Sequence, residues 1–367
     1  MNRETVLRIL DLARWAPSGD NTQPWRFEII GDDRIAVHGF DTRDHVLYDF
    51  EGHPSHMAHG ALLETLRIAA TGHGLETEWT LREGCPDTAP VYDVVLRQKE
   101  GLAPDPLLPF IEQRVVQRRP MRTTPLTAAQ RKQLTEAVAP GFSLRFFESW
   151  KDRYAVAKLL WLNAGIRLTC PEAYPVHRDI IEWGARYSTD RIPEKAVGVD
   201  PLTAKLMRWV MQDWRRVDFF NRYLFGTIIP RVQLDLIPAL ACAGHILMKP
   251  LEQPIGLTDY VNAGIAVQRL WLSATALGLH LQPEMTPVIF RWYARSDRKL
   301  SKNPGISEQA RILAKDFERI TEANTEENFA FFCRVGYSTP PSSRSIRTLL
   351  PGLIVEKFYT PHPGNTA

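Results

Sequence analysis

The chain has 367 residues, a formal net charge of +3 and four cysteines that are far apart in the sequence. A charge this close to balance excludes the basic surface typical of nucleic-acid-binding proteins. Without a Cys-x-x-Cys pair, the cysteines favour neither a zinc ribbon nor a disulfide framework. Hydrophobic residues make up 44% of the chain, enough for a large core, and the length is typical of about two domains.

The sequence predicts neither a secretory signal nor a membrane span. Charged residues begin at Arg3 and Glu4, unlike a signal peptide. The longest apolar stretch, 234–248, is interrupted by Asp235 and Pro238 and is too short to cross a bilayer. We therefore expect a cytoplasmic protein with no nucleic-acid or membrane partner.

The first predicted helix leads into an unusual loop. Val6, Ile9 and Leu10 form an apolar stripe near the helical period, and the sequence then reads APSGDNTQPWRF over 16–27. This segment is called the amide loop below. Its proline residues exclude helix, and Ser18, Asn21 and Gln23 supply both donors and acceptors, which suit the rim of a planar heterocycle. The alternative is an ordinary helix-to-strand loop whose Ser and Asn side chains bond their own backbone.

The remaining pattern alternates helices and strands and predicts an α+β fold. We predict no metal site, because no acidic ligand accompanies His53, His56 and His59. A proline-rich segment at 101–109 separates two halves. The N-terminal half is predicted to hold strands at 25–30, 34–40, 78–81 and 92–96 and a buried helix at 56–74. The C-terminal half is predicted to hold helices at 127–138, 152–168, 178–185, 262–279 and 307–320 and strands at 245–248 and 331–337.

Two buried helices predict that the halves are related. The segments 58–75 and 262–279 match at a constant offset of 204 residues, with identities that include Gly60 with Gly264 and Gly74 with Gly278. Both segments are apolar nearly all round, as expected for central helices. The alternative is a chance agreement between two alanine-rich helices.

The amide loop resembles that of the FMN-dependent nitroreductase family, which typically reads A-P-S-x-x-N-x-Q-P-W. Pro17, Ser18, Asn21 and Gln23 fall on matching positions. In that family the loop approaches the flavin ring between two subunits. The resemblance therefore implies that these four residues contact FMN, and that a partner segment holds its phosphate.

That partner segment is expected in the C-terminal half. The corresponding loop there, which begins at Ala139 and Pro140, has no Asn, Gln or Trp before its strand. The family's phosphate motif of the type R-R-S-x-R is similar to Arg118, Arg119 and Arg122, with proline in place of serine at position 120. The complementary losses predict one composite FMN site in a chain that mimics the family homodimer and functions as a monomer.

Two further segments are assigned by the same resemblance. Gln282, Pro283 and Glu284 match the segment whose backbone amides approach the flavin, and Arg344 and Arg347 match a basic residue that returns to the phosphate. An arginine fork suits phosphate oxygens. The alternatives are a solvated basic tail for the last pair and a charge pair at a helix end for Arg118 and Arg119.

The predicted organisation is an N-terminal half at 1–105, a C-terminal half at 106–350 with a helical insertion at about 183–230, and a tail at 351–367 that wraps onto the other half. Aromatic and arginine residues alternate over 207–225. We expect this segment to form a lid or substrate wall; the alternative is an amphipathic helix on a membrane surface.

The resemblance implies a flavin oxidoreductase with ping-pong kinetics. Hydride would pass through flavin N5 between NAD(P)H, a transient donor, and a small electron-poor or aromatic substrate. Two alternatives stay open: a protein that binds or sequesters flavin without turnover, and an interaction protein without flavin.

Overall fold

The computed structural model describes residues 2–356, and the predicted α+β fold is confirmed. Helices pack on two separate four-stranded sheets. The helices are α1 (Arg3–Ala13), α2 (His53–Thr71), α3 (Ala128–Val138), α4 (Trp150–Thr169), α5 (Tyr174–Asp179), α6 (Glu194–Val197), α7 (Pro201–Val210), α8 (Trp214–Tyr223), α9 (Ile228–Pro230), α10 (Ile237–Leu240), α11 (Leu257–Ala276), α12 (Thr286–Ala294) and α13 (Pro304–Thr321). The strands are β1 (Trp25–Ile29), β2 (Arg34–Gly39), β3 (Leu75–Leu81), β4 (Val91–Gln98), β5 (Phe142–Phe147), β6 (Ile181–Glu182), β7 (Tyr187–Ser188), β8 (Ile192–Pro193), β9 (Gly244–Pro250), β10 (His280–Pro283), β11 (Phe331–Gly336) and β12 (Arg344–Ser345).

The two large sheets have the same topology. Their strand orders are β1-β2-β4-β3 and β5-β9-β11-β10, and all neighbours are antiparallel. In chain order each half contributes a helix, two strands, a central helix and two strands. The C-terminal half carries long segments where the N-terminal half has short loops, with α4–α10 between β5 and β9 and α12–α13 between β10 and β11. By this topology the first inserted segment covers 148–243, wider than the insertion expected from the sequence, because α4 also lies within it.

Side-chain caps explain where several helices begin. The expected capping box at the start of α3 is present, with the Thr127 hydroxyl accepting from the Gln130 N–H and the Gln130 side chain accepting in return. Ser149 and Asp152 form the same motif before α4. Helix α4 therefore has a defined start, which fixes the residues it presents to the site described below.

Helices α2 and α11 cross at two glycines. A Cβ atom on Gly60 would lie 1.8 Å from the carbonyl oxygen of Val261, and a Cβ atom on Gly264 would lie 1.9 Å from that of Met57. Glycine is therefore required at both positions, since any other residue would overlap backbone. The offset of 204 residues relates Gly60 to Gly264 and Met57 to Val261, so each contact is the counterpart of the other. This is the relation found across a two-fold interface.

Polar contacts between the same helices repeat this symmetry. Gln268 Nε2 donates to Thr65 Oγ1 at 2.8 Å, and Arg269 Nη1 donates to Glu64 Oε1 at 2.8 Å. The same offset relates Glu64 to Gln268 and Thr65 to Arg269, so the two hydrogen-bonded pairs are counterparts. Asp105, at the junction of the halves, accepts from Arg67 at 2.9 Å and extends this network.

Two sequence expectations need correction or completion. The helix expected at 178–185 is wrong: α5 covers Tyr174–Asp179 and is followed by β6, and Gly184 has a positive φ of 81°. The start of the tail does pair with the N-terminal half, since Phe27 N–H donates to the Leu353 carbonyl at 2.8 Å. The rest of the tail, 357–367, lies outside the described residues. Across 2–356, no helix is both long and apolar enough to cross a membrane.

The glycine contact makes a quantitative prediction. Gly60→Ala and Gly264→Ala should each lower the free energy of unfolding by about 3 kcal/mol, because the new methyl group must push the two helices apart. In the double variant the two losses of unfolding free energy should be less than additive, because one separation of the helices relieves both overlaps. Urea unfolding measures this. Gly141→Ala is the matched control because a Cβ there meets nothing within 4 Å, and an additive double variant would contradict the shared contact.

Candidate functional site

One cavity of about 470 Å³ lies where the two halves meet. The amide loop and α2 line one side, and α11, the segment at 114–118 and the start of α12 line the other. Helices α4 and α7 and residues 343–347 complete the walls. This volume is within the range of about 300–1,000 Å³ found for small-molecule sites.

The amide loop has an uncommon backbone held by its own side chains. Asp20, Asn21 and Gln23 have positive φ angles of 49°, 66° and 48°, a conformation that non-glycine residues seldom adopt. Gln23 fixes it from behind: its Nε2 donates to the Thr189 carbonyl at 2.7 Å, and its Oε1 accepts from the Thr348 N–H at 3.0 Å. Gln23 thus supports the loop and does not line the cavity.

Three other loop residues predicted for the site do line the cavity, namely Pro17, Ser18 and Asn21. Ser18 Oγ also accepts from the Gln23 N–H at 2.9 Å. Asn21 Nδ2 donates to the Ile346 carbonyl at 3.1 Å, whereas its Oδ1 is buried without a partner. The loop therefore presents an unused acceptor at the cavity.

Three arginines, of which Arg114 and Arg347 are buried and Arg344 is half-buried, form a positive cluster at the cavity. Arg114, Arg344 and Arg347 line the cavity and donate to backbone carbonyls, with Arg114 bonding Trp15 O at 2.9 Å, Arg344 bonding Glu112 O at 2.8 Å and Arg347 bonding Ala16 O at 3.0 Å. Within the described part of the chain, no carboxylate forms an ion pair with them.

The electrostatics of this cluster favour an anion. Burial, with repulsion from Arg347 and Arg344, holds the pKa of Arg114 well below its usual value. Burial and the neighbouring arginines lower the pKa of Arg347 to about 9. Like charges that destabilise one another in this way are stabilised by a bound anion, and the arginine fork fits phosphate.

Sequence reasoning found only part of this cluster. Arg344 and Arg347 were predicted, but Arg114 was missed; its sequence signal is a lone arginine beside an apolar pair, Val115 and Val116. Of the three residues expected in the phosphate motif, Arg118 lines the cavity, whereas Arg119 and Arg122 are exposed and do not. Arg122 acts through its backbone, because its N–H donates to the Tyr337 carbonyl at 2.8 Å.

A second, compensated charge cluster includes two cavity-lining residues, Glu284 and Arg334. Glu284 accepts from Arg334 Nη1 at 2.9 Å, and its other oxygen lies 2.8 Å from His245 Nδ1. Burial opposes a charge on His245, but Cys242 and Glu284 more than offset burial and raise its pKa to about 10. Burial also raises the pKa of Glu284, but His245 and Arg334 reverse that effect and the pKa is lowered.

Gln282, Pro283 and Glu284 line the cavity, but not as the sequence suggested. Proline has no N–H, and the Glu284 N–H donates to the Phe332 carbonyl at 2.8 Å within the sheet. Neither amide is free for a ligand. Gln282 instead offers its side-chain Oε1, which is buried without a partner.

The inserted segment supplies the remaining wall. Asn163 and Arg167 of α4 and Met207 and Met211 near α7 line the cavity. The aromatic residues of the expected lid are mostly exposed, with Trp209, Phe219, Tyr223 and Phe225 between 48% and 74% accessible. The inserted segment therefore lines the cavity with α4, the two methionines and residues from 177–197 and 230–235, and not with these exposed aromatic side chains.

The cavity concentrates unsatisfied polar atoms. In residues 2–356, fourteen buried side-chain nitrogen or oxygen atoms have no hydrogen-bond partner, and seven belong to residues lining this cavity. They are Asn21 Oδ1, Arg114 Nε, Asn163 Oδ1, Arg167 Nε, Gln282 Oε1, Arg334 Nε and Arg344 Nε. Because buried polar groups are nearly always satisfied, this concentration indicates a polar ligand.

The His245 pKa predicts a pH window for stability. A raised folded-state pKa means that the contribution is complete below pH 6.5, declines as pH rises, and is lost above about pH 10. His245→Gln should therefore flatten the fall in unfolding free energy between those values. Urea unfolding over this range tests it, with exposed His73→Gln as the control. Equal slopes in wild type and His245→Gln would contradict the ion pair.

The N-terminal segment matches a known protein family, and most of the chain aligns with one curated protein. Residues 1–52 match the model of the Nitroreductase family. An uncharacterized protein of Mycobacterium tuberculosis (strain CDC 1551 / Oshkosh) is 24% identical over 352 residues, covering 92% of this chain and 46% of that protein. The chain thus spans about half the length of this curated relative.

Two nitroreductases are among the solved structures that match this chain, both at low TM-scores. A putative nitroreductase of Desulfovibrio desulfuricans in complex with FMN is 15% identical, with 70% of this chain and 99% of that chain covered and a TM-score of 0.35. The FMN-dependent nitroreductase NfnB of Mycobacterium smegmatis, in complex with NADPH, is 12% identical, with 70% and 96% covered and a TM-score of 0.32. The resemblance first drawn from the amide loop is confirmed by the family model, which matches the segment that contains this loop.

Proposed function

We propose that the chain is an FMN-dependent oxidoreductase whose cavity binds one flavin between its two halves. The observation that carries this proposal is the largely buried cluster of Arg114, Arg344 and Arg347, which forms no ion pair with a carboxylate among the described residues. A phosphate monoester bears the charge and the oxygen acceptors that such a cluster requires.

The other cavity residues fit the rest of FMN. Asn21 Oδ1 and Gln282 Oε1 are unused acceptors, and Pro17 and Ser18 present loop surface beside them. Trp271 lies under the Arg114 guanidinium, 4.6 Å from ring centroid to Cζ, and orients that arginine. These residues would hold the ring from the amide-loop side while the arginines hold the phosphate.

When bound, FMN would supply reversible two-electron transfer by hydride. The chain's own residues bind, orient and exclude water: the apolar wall of Ala58, Ala61 and Val267 shields the cavity, and Asn21 sets the edge that faces it. We propose NAD(P)H as the transient donor and a small electron-poor or aromatic molecule as the substrate.

We propose that this site is composite and intramolecular. The amide loop comes from 1–105 and the arginines come from 106–350. The matched sheet topologies and the symmetric contact of α2 with α11 support a chain that mimics a homodimer. On this proposal a monomer holds the complete site.

A second candidate is a protein that sequesters flavin without turnover. The observation favouring it is that the inserted helices α4 and α7 line the cavity, so that residues without a counterpart in the N-terminal half would lie beside anything bound there. A single experiment distinguishes these two functions from each other and from a flavin-free protein.

The purified protein is expected to carry about one FMN per chain, and anaerobic NADH or NADPH should bleach its visible absorbance. Flavin that remains oxidised under both donors would favour sequestration. Protein without flavin, which does not bind added FMN, would contradict the proposal. A stoichiometry of two would contradict the single composite site.

Arg114→Gln should weaken FMN binding by about one to two orders of magnitude, since it removes a charged donor to the phosphate. The flavin-free variant should be at least as stable as wild type, because a buried repulsive charge is removed. Ultrafiltration and thermal unfolding measure the two effects. Exposed Arg119→Gln is the matched control, and equal retention of FMN in both variants would place the phosphate elsewhere.

A further inference from the structure

Exposed apolar side chains are concentrated in one part of the inserted segment. Of the eighteen large hydrophobic residues that are exposed between residues 2 and 356, nine lie within 202–229. This stretch contains α7 and α8 and is called the α7–α8 surface below. Single exposed apolar side chains are normal in proteins, but such a concentration marks an interaction surface.

Helix α7 is apolar on two nearly opposite faces. Met207 and Met211, at its C-terminal end, line the cavity. Leu202, Leu206 and Trp209 share the outer face, because they are spaced by four and three residues, and they are 78%, 43% and 48% exposed. The cavity explains the inner face, whereas the outer face is apolar and points to solvent.

Helix α8 extends the same surface. Phe219 and Tyr223 are four residues apart on one face and are both exposed, as is Phe225 just after the helix. The Trp209 ring centroid lies 5.9 Å from that of Phe220. Phe219 contacts both Phe220 and Tyr223, at centroid distances of 6.2 Å and 5.2 Å. These ring contacts join the outer faces of α7 and α8 into one continuous surface.

The charge beside this surface is positive. Residues 201–229 contain five arginine or lysine residues but only two aspartates and no glutamate. Arg222 is paired with Asp218 at 2.8 Å, whereas Lys205, Arg208 and Arg215 form no ion pair with any carboxylate in 2–356. Lys205 precedes Trp209 by four residues and Arg215 precedes Phe219 by four, so each cation is a neighbour of an exposed ring on its helix.

This combination of side chains is complementary to an anionic lipid surface. Apolar side chains enter the acyl boundary, tryptophan and tyrosine suit the interface, and lysine and arginine attract acidic headgroups. A second copy of the chain fits less well, because a two-fold contact would bring the same unpaired cations together. Helices α7 and α8 have ten residues each, so they are long enough to lie on a bilayer but not to cross it.

We propose that the α7–α8 surface docks the protein onto an anionic lipid surface, with Trp209, Phe219 and Phe225 at the acyl boundary and Lys205 and Arg215 at the headgroups. The proposal adopts the membrane-surface alternative for this segment and revises the expectation of a protein without a membrane partner. It does not depend on a bound flavin. Because the inner face of α7 lines the cavity, docking would bring that wall of the cavity close to the lipid.

The test is co-sedimentation of the purified full-length protein with two kinds of vesicle, one of phosphatidylcholine alone and one of equal parts phosphatidylcholine and phosphatidylglycerol. Binding to the anionic vesicles should be at least about tenfold tighter, and added salt should weaken it. Lys205→Gln with Arg215→Gln should weaken this binding about thirtyfold. Tyr223→Ser with Phe225→Ser should weaken it at least about tenfold, because the apolar contact is lost.

Matched controls change the same chemistry elsewhere on the surface. Lys132→Gln with Lys315→Gln removes two exposed cations, and Ile255→Ser removes an apolar side chain that is 97% exposed; both should bind like wild type. Thermal unfolding should be unchanged in every variant, since all of these positions are exposed. Equal binding to both kinds of vesicle, or wild-type binding by both α7–α8 variants, overturns the proposal. So does self-association in sedimentation velocity that Tyr223→Ser with Phe225→Ser abolishes, if the wild-type protein binds no vesicles, because a second copy would then cover the surface.

Discussion

The close contact between Gly60 and Gly264 sets the geometry on which the site depends. It brings the backbones of α2 and α11 together, so that Val261 and Met57 carbonyls occupy the space where side chains would otherwise stand. Met57, Ala58 and Ala61 of α2, with Val267 and Trp271 of α11, line the cavity beside this crossing. The separation of the halves therefore sets the width of the cavity, and small residues at the crossing are a structural requirement of the site.

Positive side chains in this structure occur in two settings, one with a carboxylate partner and one without. Around Glu284, two cations share one carboxylate, and the group is stable without any ligand. At the other end, Arg114, Arg344 and Arg347 have only carbonyl partners. A folded protein gains nothing from such repulsion, so its persistence in the native state is best explained by an anion that binds there. This contrast, more than the shape of the cavity, supports the proposed position of the phosphate.

The sequence predicted those features that depend on local pattern. The amide loop, the central helices and the Thr127 capping box could be read directly, because turn chemistry and helical periodicity are local. The roles of Gln23 and Arg122 could not, since both depend on partners far away: Thr348 and Thr189 for the first, Tyr337 for the second. Arg114 was missed for the same reason, because only the fold brings it beside residues 344 and 347. The bounds of the inserted segment could not be predicted either, because they follow from the strand order of the two sheets.

Because of the inserted segment, the two halves of the chain contribute different residues to the cavity, which the two subunits of a symmetric homodimer cannot do. A two-fold homodimer must repeat every residue at both of its interfacial sites. Here the C-terminal half has Ala139 and Pro140 where the N-terminal half has its amide loop, and α4 lies where the N-terminal half has a hairpin at 30–33. The inserted segment thus brings Asn163 and Arg167 to the cavity wall, where the N-terminal half has no equivalent residues. Because the two halves differ in this way, the residues that line the cavity are not repeated by a two-fold axis, even though the central helices still pack with two-fold symmetry.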